Sequence, residues 1–177
     1  HQNDAGLYEE VGRITDIAKT FFIHTNASTE TQAECYKVAV ENHCGTSYPI
    51  DLAEAHCTIS LTATGETERV SVDWTPYIGW DEVEQYNIYR VNNYDPGQME
   101  LIGAQPGTST QFIDDDMYCY DTYSYRVEAL ARGQLRSLSD TSFATPSHVS
   151  PQEAGHMNRV SVEDNEFLTI EWETPEV

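Results

Sequence analysis

Val70-Ser71-Val72-Asp73-Trp74 alternates apolar and polar residues and ends on a tryptophan, and Leu168-Thr169-Ile170-Glu171-Trp172 repeats that pattern 98 residues later. Alternation of period two marks a strand with one buried face. In the first stretch Val70, Val72 and Trp74 fall on one side and Ser71 and Asp73 on the other. Tyr123-Ser124-Tyr125-Arg126-Val127-Glu128-Ala129 has the same period, with Tyr123, Tyr125, Val127 and Ala129 sharing a face.

A second set of echoes runs backwards from the centre of the chain. Glu10-Val11-Gly12 answers Leu101-Ile102-Gly103, and Thr20-Phe21-Phe22-Ile23 answers Thr110-Gln111-Phe112-Ile113. Tyr36-Lys37-Val38 answers Tyr125-Arg126-Val127, and Ser47 answers Ser137, at offsets of 91, 90, 89 and 90 residues. Near-constant spacing over separate segments is the mark of a repeated structural unit. The expected organisation is residues 1–56 as the C-terminal part of a first repeat, 57–146 as a complete repeat, and 147–177 as the N-terminal part of a third.

Within the complete repeat, turn residues punctuate the alternating runs at Thr64-Gly65, Tyr94-Asp95-Pro96-Gly97, Pro106-Gly107 and Arg132-Gly133. No run shows a sustained helical stripe. Seven strands are expected: Cys57–Ala63, Arg69–Thr75, Gln85–Val91, Met99–Ala104, Thr110–Asp114, Tyr123–Ala131 and Leu135–Phe143. Seven short strands in about 90 residues point to an all-β fold of antiparallel sandwiches in tandem.

These residues resemble the fibronectin type III family, which is immunoglobulin-like in architecture. The family's strand-B tryptophan is matched by Trp74 and Trp172, and its tyrosine-rich strand C by Tyr86-Asn87-Ile88-Tyr89-Arg90. Tyr123 looks like the tyrosine-corner residue, whose hydroxyl bonds a nearby backbone group. In the first repeat Glu34 stands at that place. The resemblance implies core roles for Trp74, Trp172, Tyr36, Tyr125 and Tyr123. Trp74-Thr75-Pro76-Tyr77-Ile78-Gly79-Trp80 and Cys35-Tyr36-Lys37-Val38 also resemble modules of very long Bacteroidota surface proteins, many of them gliding-motility adhesins exported by type IX secretion.

The chain has 177 residues, with 30 Asp and Glu against 9 Lys and Arg, for a formal charge of -21. Such a surface repels phosphate backbones and anionic head groups, so nucleic acid is not an expected partner. No apolar run reaches the 18 residues of a spanning helix, and no direct membrane insertion is expected. The first residue is His1 rather than Met, which reads as a piece of something longer. Aromatic residues at 11% supply core material that an acidic disordered tail would lack.

Cys35, Cys44, Cys57 and Cys119 form no CxxC pair, so zinc and redox motifs are unsupported. Disulfides outside the cytosol fit this composition. Cys35 begins one strand of a hairpin turning near Cys44-Gly45 and Cys57 ends the other, which favours a Cys35–Cys57 bond. Cys44–Cys57 is the alternative, and Cys119 has no evident partner.

No catalytic residue is expected. The histidines His1, His24, His43, His56, His148 and His156 are scattered, and neither HExxH nor GxSxG occurs. Asp114-Asp115-Asp116 reads as a solvated turn, or as oxygen ligands for Ca²⁺, the one cofactor considered. Asn26-Ala27-Ser28 fits an N-glycosylation sequon, which matters only in a eukaryotic source. Trp80, in the loop between strands B and C, either caps the core or packs on a neighbouring repeat, or else presents an aromatic ring to a ligand.

The expected function is a non-catalytic extracellular stalk of a large multi-repeat surface protein or filament. Its partners would be neighbouring repeats, with other surface proteins or polysaccharide. The alternative is an accessory module beside a secreted polysaccharide-active enzyme.

Overall fold

The computed structural model describes residues 1–3, 5–29, 31–93, 97, 99–148, 157–163 and 166–173. It divides into two compact units, His1–Ser147 and His148–Val177.

In the first unit, β1 (Cys35–Lys37) pairs antiparallel with β2 (Ala55–Cys57), with Cys35 opposite Cys57. The structure bonds these two cysteines, 4.0 Å apart at Cα. Cys44 is exposed and Cys119 half-buried, both as free thiols. Three residues then lead from Cys57 to β3 (Leu61–Glu66), and Ile59 among them is already sealed in the next core. The ladder of β1 continues through this connection, where the Glu34 amide donates to Thr58 Oγ1 and the Thr58 amide to Glu34 O, both at 2.9 Å.

One sheet contains β3, β4 (Arg69–Trp74) and β7 (Gln111–Asp114), with β4 in the middle. The facing sheet runs from β6 (Glu100–Pro106) through β5 (Gln85–Asn92) to β8 (Tyr123–Ala131). Both β9 (Leu135–Leu138) and β10 (Ser142–Ala144) lie along β8. All pairings are antiparallel. With β3, β4 and β7 lettered A, B and E, and β5, β6, β8 and β9–β10 lettered C, C′, F and G, this is the fibronectin type III-like sandwich. The alternation read from the sequence is what builds it: β8 has a strict buried–intermediate burial pattern along all nine residues.

Ile59, Leu61, Val70, Val72 and Trp74 from one sheet meet Tyr86, Ile88, Tyr123, Tyr125, Val127 and Ala129 from the other. Trp74, Tyr125 and Tyr123 are therefore core residues. Trp80 packs against this core with its ring 4.0 Å from that of Tyr77, so it closes the B–C loop. Tyr77 in turn meets His56 on β2 through a 2.7 Å hydrogen bond.

Several expectations need correction. Thr64-Gly65 is not a turn. Both residues lie inside β3, and the chain reverses at Thr67-Glu68, where Glu68 takes a positive φ of 59°. Gly65 is there because the Thr145 backbone crosses so close that a Cβ would collide with it; glycine in a strand often marks such an approach. The last strand is not continuous from Leu135 to Phe143. Ser139 interrupts it, because its hydroxyl replaces a ladder carbonyl and accepts from the Val127 amide at 3.0 Å. The break serves the opposite sheet: Asp140 Oδ1 and Ser142 Oγ accept the Leu61 and Ala63 amides at 2.9 Å.

Tyr36 is half-buried on β1 rather than in a sealed core. Trp172 is 64% exposed and also no core residue in this structure. It lies in the second unit, whose described residues form a hairpin of β11 (Met157–Glu163) and β12 (Phe167–Trp172), with no second layer among them to cover its apolar face. The expected turn residues Tyr94-Asp95-Pro96, together with His156, Pro175 and residues 149–155, lie outside the described residues.

Candidate functional site

The most constrained polar chemistry in the molecule sits where β8 begins. Tyr123 is buried, and its hydroxyl accepts the Tyr118 amide at 2.8 Å while donating to the Tyr118 carbonyl at 3.4 Å. This is the corner that the strand-F tyrosine implies. Two residues on, the buried Tyr125 hydroxyl donates to Asp114 Oδ2 at 3.0 Å. Arg90, on β5, donates from Nη1 to both Asp114 oxygens at 3.0 Å, and its guanidinium carbon lies 5.5 Å from the centre of the Tyr123 ring.

Asp114 is thus no solvated turn residue. It is 3% exposed, and its carboxylate is saturated by Arg90 and Tyr125. Burial disfavours the Arg90 charge, but the field and hydrogen bonds of Asp114 outweigh it and hold the guanidinium above its usual range. Burial first, and Asp114 second, push the Tyr125 phenol far up, so it stays a donor at every ordinary pH. A carboxylate so occupied has no oxygen to offer a cation. Among the described residues no group of three or more His, Cys, Asp or Glu is placed to hold a metal ion.

The same arrangement recurs 89 or 90 residues earlier with different side chains. Glu34 stands for Tyr123, Tyr36 for Tyr125, His24 for Asp114 and His1 for Arg90. Glu34 is 2% exposed, and its Oε1 accepts the Ser28 amide at 2.9 Å, as the Tyr123 hydroxyl accepts that of Tyr118. His24 Nδ1 and the Tyr36 hydroxyl form a 2.9 Å hydrogen bond, in the place of the Asp114–Tyr125 contact. His1 Nε2 bonds Glu34 Oε2, where Arg90 lies over Tyr123. Burial raises the Glu34 carboxyl, but the hydrogen bonds from His1, the Ser28 amide and Gln32 prevail and hold it below its ordinary value.

Other details recur at spacings of 88 to 91 residues. A Cβ on Gly12 would strike the Phe22 ring, and one on Gly103 would strike Phe112. Gly45 and Gly133, in the two F–G turns, have φ of 76° and 75°. The Gln2 amide bonds Cys35 O at 2.8 Å, matching Val91 opposite Ser124. The sequence reading treated the histidines as scattered. The offset already set His24-Thr25-Asn26 opposite Asp114-Asp115-Asp116, and the same offset applied to Arg90 gives His1.

The first corner borders an open hollow of about 410 Å³, lined by Arg90, Glu100, Met117, Tyr118 and Tyr123 among others. The arrangement locks strands C, E and F together. Comparison with solved structures found the following likenesses. The chain is similar to a Fn3-like protein from Clostridium thermocellum, at 19% identity over 55% of this chain and 97% of that one, with a TM-score of 0.42. It is similar to the fn3 domain of human collagen alpha-1(XX), at 22% identity over 54% of this chain and 88% of that one, with a TM-score of 0.46. It is also similar to pectate lyase PelI of Erwinia chrysanthemi, solved with tetragalacturonic acid, at 19% identity and a TM-score of 0.44. That match covers 49% of this chain and 28% of the lyase chain. No family model and no curated protein matches.

Proposed function

We propose that this chain is a non-catalytic segment of an extracellular stalk, in which fibronectin type III-like modules follow one another as parts of a large surface protein or filament. The observation that carries this reading is the recurrence of the whole corner, from His1, His24, Glu34 and Tyr36 to Arg90, Asp114, Tyr123 and Tyr125. Unrelated loops would not reproduce a four-residue hydrogen-bonded cluster with its flanking glycine seat at one spacing. The three-residue connection from Cys57 to Leu61 supports a mechanical role, since short, hydrogen-bonded links restrict hinging between neighbours. The Cys35–Cys57 bond favours an oxidising, extracellular setting. No helix among the described residues is long and apolar enough to cross a membrane.

A charge of -21 keeps such stalks apart and soluble. The resemblance of Trp74–Trp80 and Cys35–Val38 to gliding-associated surface proteins supports that setting within the proposal, with neighbouring modules, other surface proteins or polysaccharide as contacts. Small-angle scattering on a longer chain of these modules tests it. Each module should add roughly 35 Å, from strands of about ten residues. A maximum dimension that fails to grow with module number would refute the stalk.

A further inference from the structure

The chain passes from the Cys35–Cys57 hairpin into the complete sandwich at a joint that the sandwich itself grips. The Cys57 amide donates to the Ile78 carbonyl at 3.0 Å, and the two residues form an antiparallel bridge. One residue earlier, His56 Nδ1 and the Tyr77 hydroxyl form a 2.7 Å hydrogen bond. Gly79 has a φ of 127°, and a Cβ there would strike the His56 ring. Glycine meets both demands, since it tolerates positive φ and admits a close approach.

The gripping loop is anchored in the sandwich. The Tyr77 amide donates to the Tyr86 hydroxyl at 2.9 Å, and Tyr86 is fully buried. The Tyr77 ring centre lies 4.0 Å from that of Trp80, which packs on the core. On the other side Cys57 is bonded to Cys35. One residue therefore carries both the covalent tie to β1 and the hydrogen bond to the B–C loop. The exit from the complete sandwich is made differently. Phe143 pairs with Ser124, the residue before Tyr125, as Cys57 pairs with Cys35, the residue before Tyr36. That exit is held by the sandwich's own loops, through the Tyr120 amide on Pro146 O at 3.0 Å and the Ser147 amide on Glu66 O at 2.9 Å. The disulfide belongs to the joint that the following loop grips.

We propose that Tyr77-Ile78-Gly79 is a latch on the disulfide-bonded end of residues 1–57, and that the redox state of Cys35–Cys57 sets the stiffness of the joint. Oxidised, Cys57 is fixed in place and presents its amide to Ile78, so residues 34–57 and the sandwich move as one body. A dithiol reductant passes two electrons and two protons to the two sulfurs and leaves as its own disulfide. Cys57 then keeps its hydrogen bonds without the covalent tie, the latch opens more often, and the joint hinges. The coupling is reciprocal: the latch that the bond holds shut also holds the two sulfurs together. The inference rests on the repeat reading, in which residues 57–61 join two modules, and it makes that joint of the stalk a point of redox control.

The test uses the full chain carrying Cys44→Ser and Cys119→Ser, so that one disulfide forms. After reduction with dithiothreitol the Cys57 amide is expected to exchange roughly tenfold faster, about what one hydrogen bond is worth. The Val127 amide, bonded to Ser139 Oγ, keeps its protection and shows that the sandwich stays folded. Residual dipolar couplings from residues 34–57 and 61–93 fit one alignment when oxidised and need two when reduced. Equilibration with glutathione reads the reciprocal effect. Gly79→Ala drives the loop off His56 and lowers the effective concentration of the two thiols for one another by roughly the same tenfold. Tyr77→Phe keeps the ring on Trp80, loses the hydroxyl on His56, and lowers it less. Where Gly79→Ala loses Val127 protection, Tyr77→Phe alone decides. A Cys57 amide equally protected in both states, or an effective concentration that the latch substitutions leave unchanged, overturns the proposal. Either result leaves the stalk standing, whereas a maximum dimension that fails to grow with module number removes the stalk whatever Cys57 does.

Discussion

The corner at Tyr123 and the corner at Glu34 satisfy an upstream backbone amide with different chemistry. In the first, a phenol takes the upstream amide and a guanidinium–carboxylate pair is buried behind it. In the second, a carboxylate takes the amide and bonds His1, while His24 bonds the Tyr36 hydroxyl beside it. What is held in common is geometric: one acceptor aimed at the amide five or six residues upstream, and one hydrogen bond between the end of strand E and strand F. The side chains that satisfy these demands are interchangeable. In the first corner the amide's acceptor is a phenol, whereas in the second it is a carboxylate.

The comparison breaks most visibly at Asp114. Asp114→Ala leaves Arg90 nearly buried without its main partner, and loss of one member of a buried pair costs roughly 3–5 kcal/mol. His24→Ala at the equivalent position removes one hydrogen bond, to the Tyr36 hydroxyl, worth about 1 kcal/mol. Urea unfolding followed by tryptophan fluorescence, with hydrogen exchange on residues 1–57, measures both. Equal costs at the two positions would remove the distinction. Next in size is the Cys35–Cys57 bond, which has no counterpart in the complete sandwich. Its removal by paired Ser substitution costs about 3 kcal/mol for a loop of this length. That loss should appear in hydrogen exchange over residues 34–58 before it appears in the sandwich.

Tyr123→Phe strips the first corner of its acceptor and strands the Tyr118 amide, at a cost of about 1–2 kcal/mol. The smallest expected effect is the pH response of the second corner. The folded Glu34 carboxyl lies below its unfolded value of about 4.3. Its contribution is therefore present above that unfolded value and fades as pH falls through the folded one. The protection factor of the Ser28 amide should drop as pH falls through that folded value, while that of Tyr118, capped by a phenol, holds. Parallel behaviour of the two amides would contradict the assignment.

Strands B, C and F were legible because alternation of period two survives in Val70–Trp74, Gln85–Val91 and Tyr123–Ala131. The disulfide was legible because hairpin register brings strand ends together. The rest was hidden for physical reasons. Ser139 breaks the last strand through a hydroxyl that imitates a carbonyl, and serine has no pattern that announces this. Gly65 looks like a turn residue although its role is a close crossing with Thr145. Three aspartates in a row read as solvated because Arg90, which buries the first, lies 24 residues away. Trp172 has the strand pattern of Trp74, but a pattern says which face seeks cover and not what provides it.

The central claim is that one module recurs, so that residues 1–57 hold the path of residues 90–144. A crystal structure of the protein tests this most directly, by superposing His1, Gly12, Phe22, His24, Glu34, Tyr36 and Gly45 on Arg90, Gly103, Phe112, Asp114, Tyr123, Tyr125 and Gly133. The account predicts that the seven Cα positions coincide within the spread of related domains, with the Ser28 and Tyr118 amides each capped by the side chain named above. Finding Phe22 away from Gly12, and His24 parted from Tyr36, would contradict it.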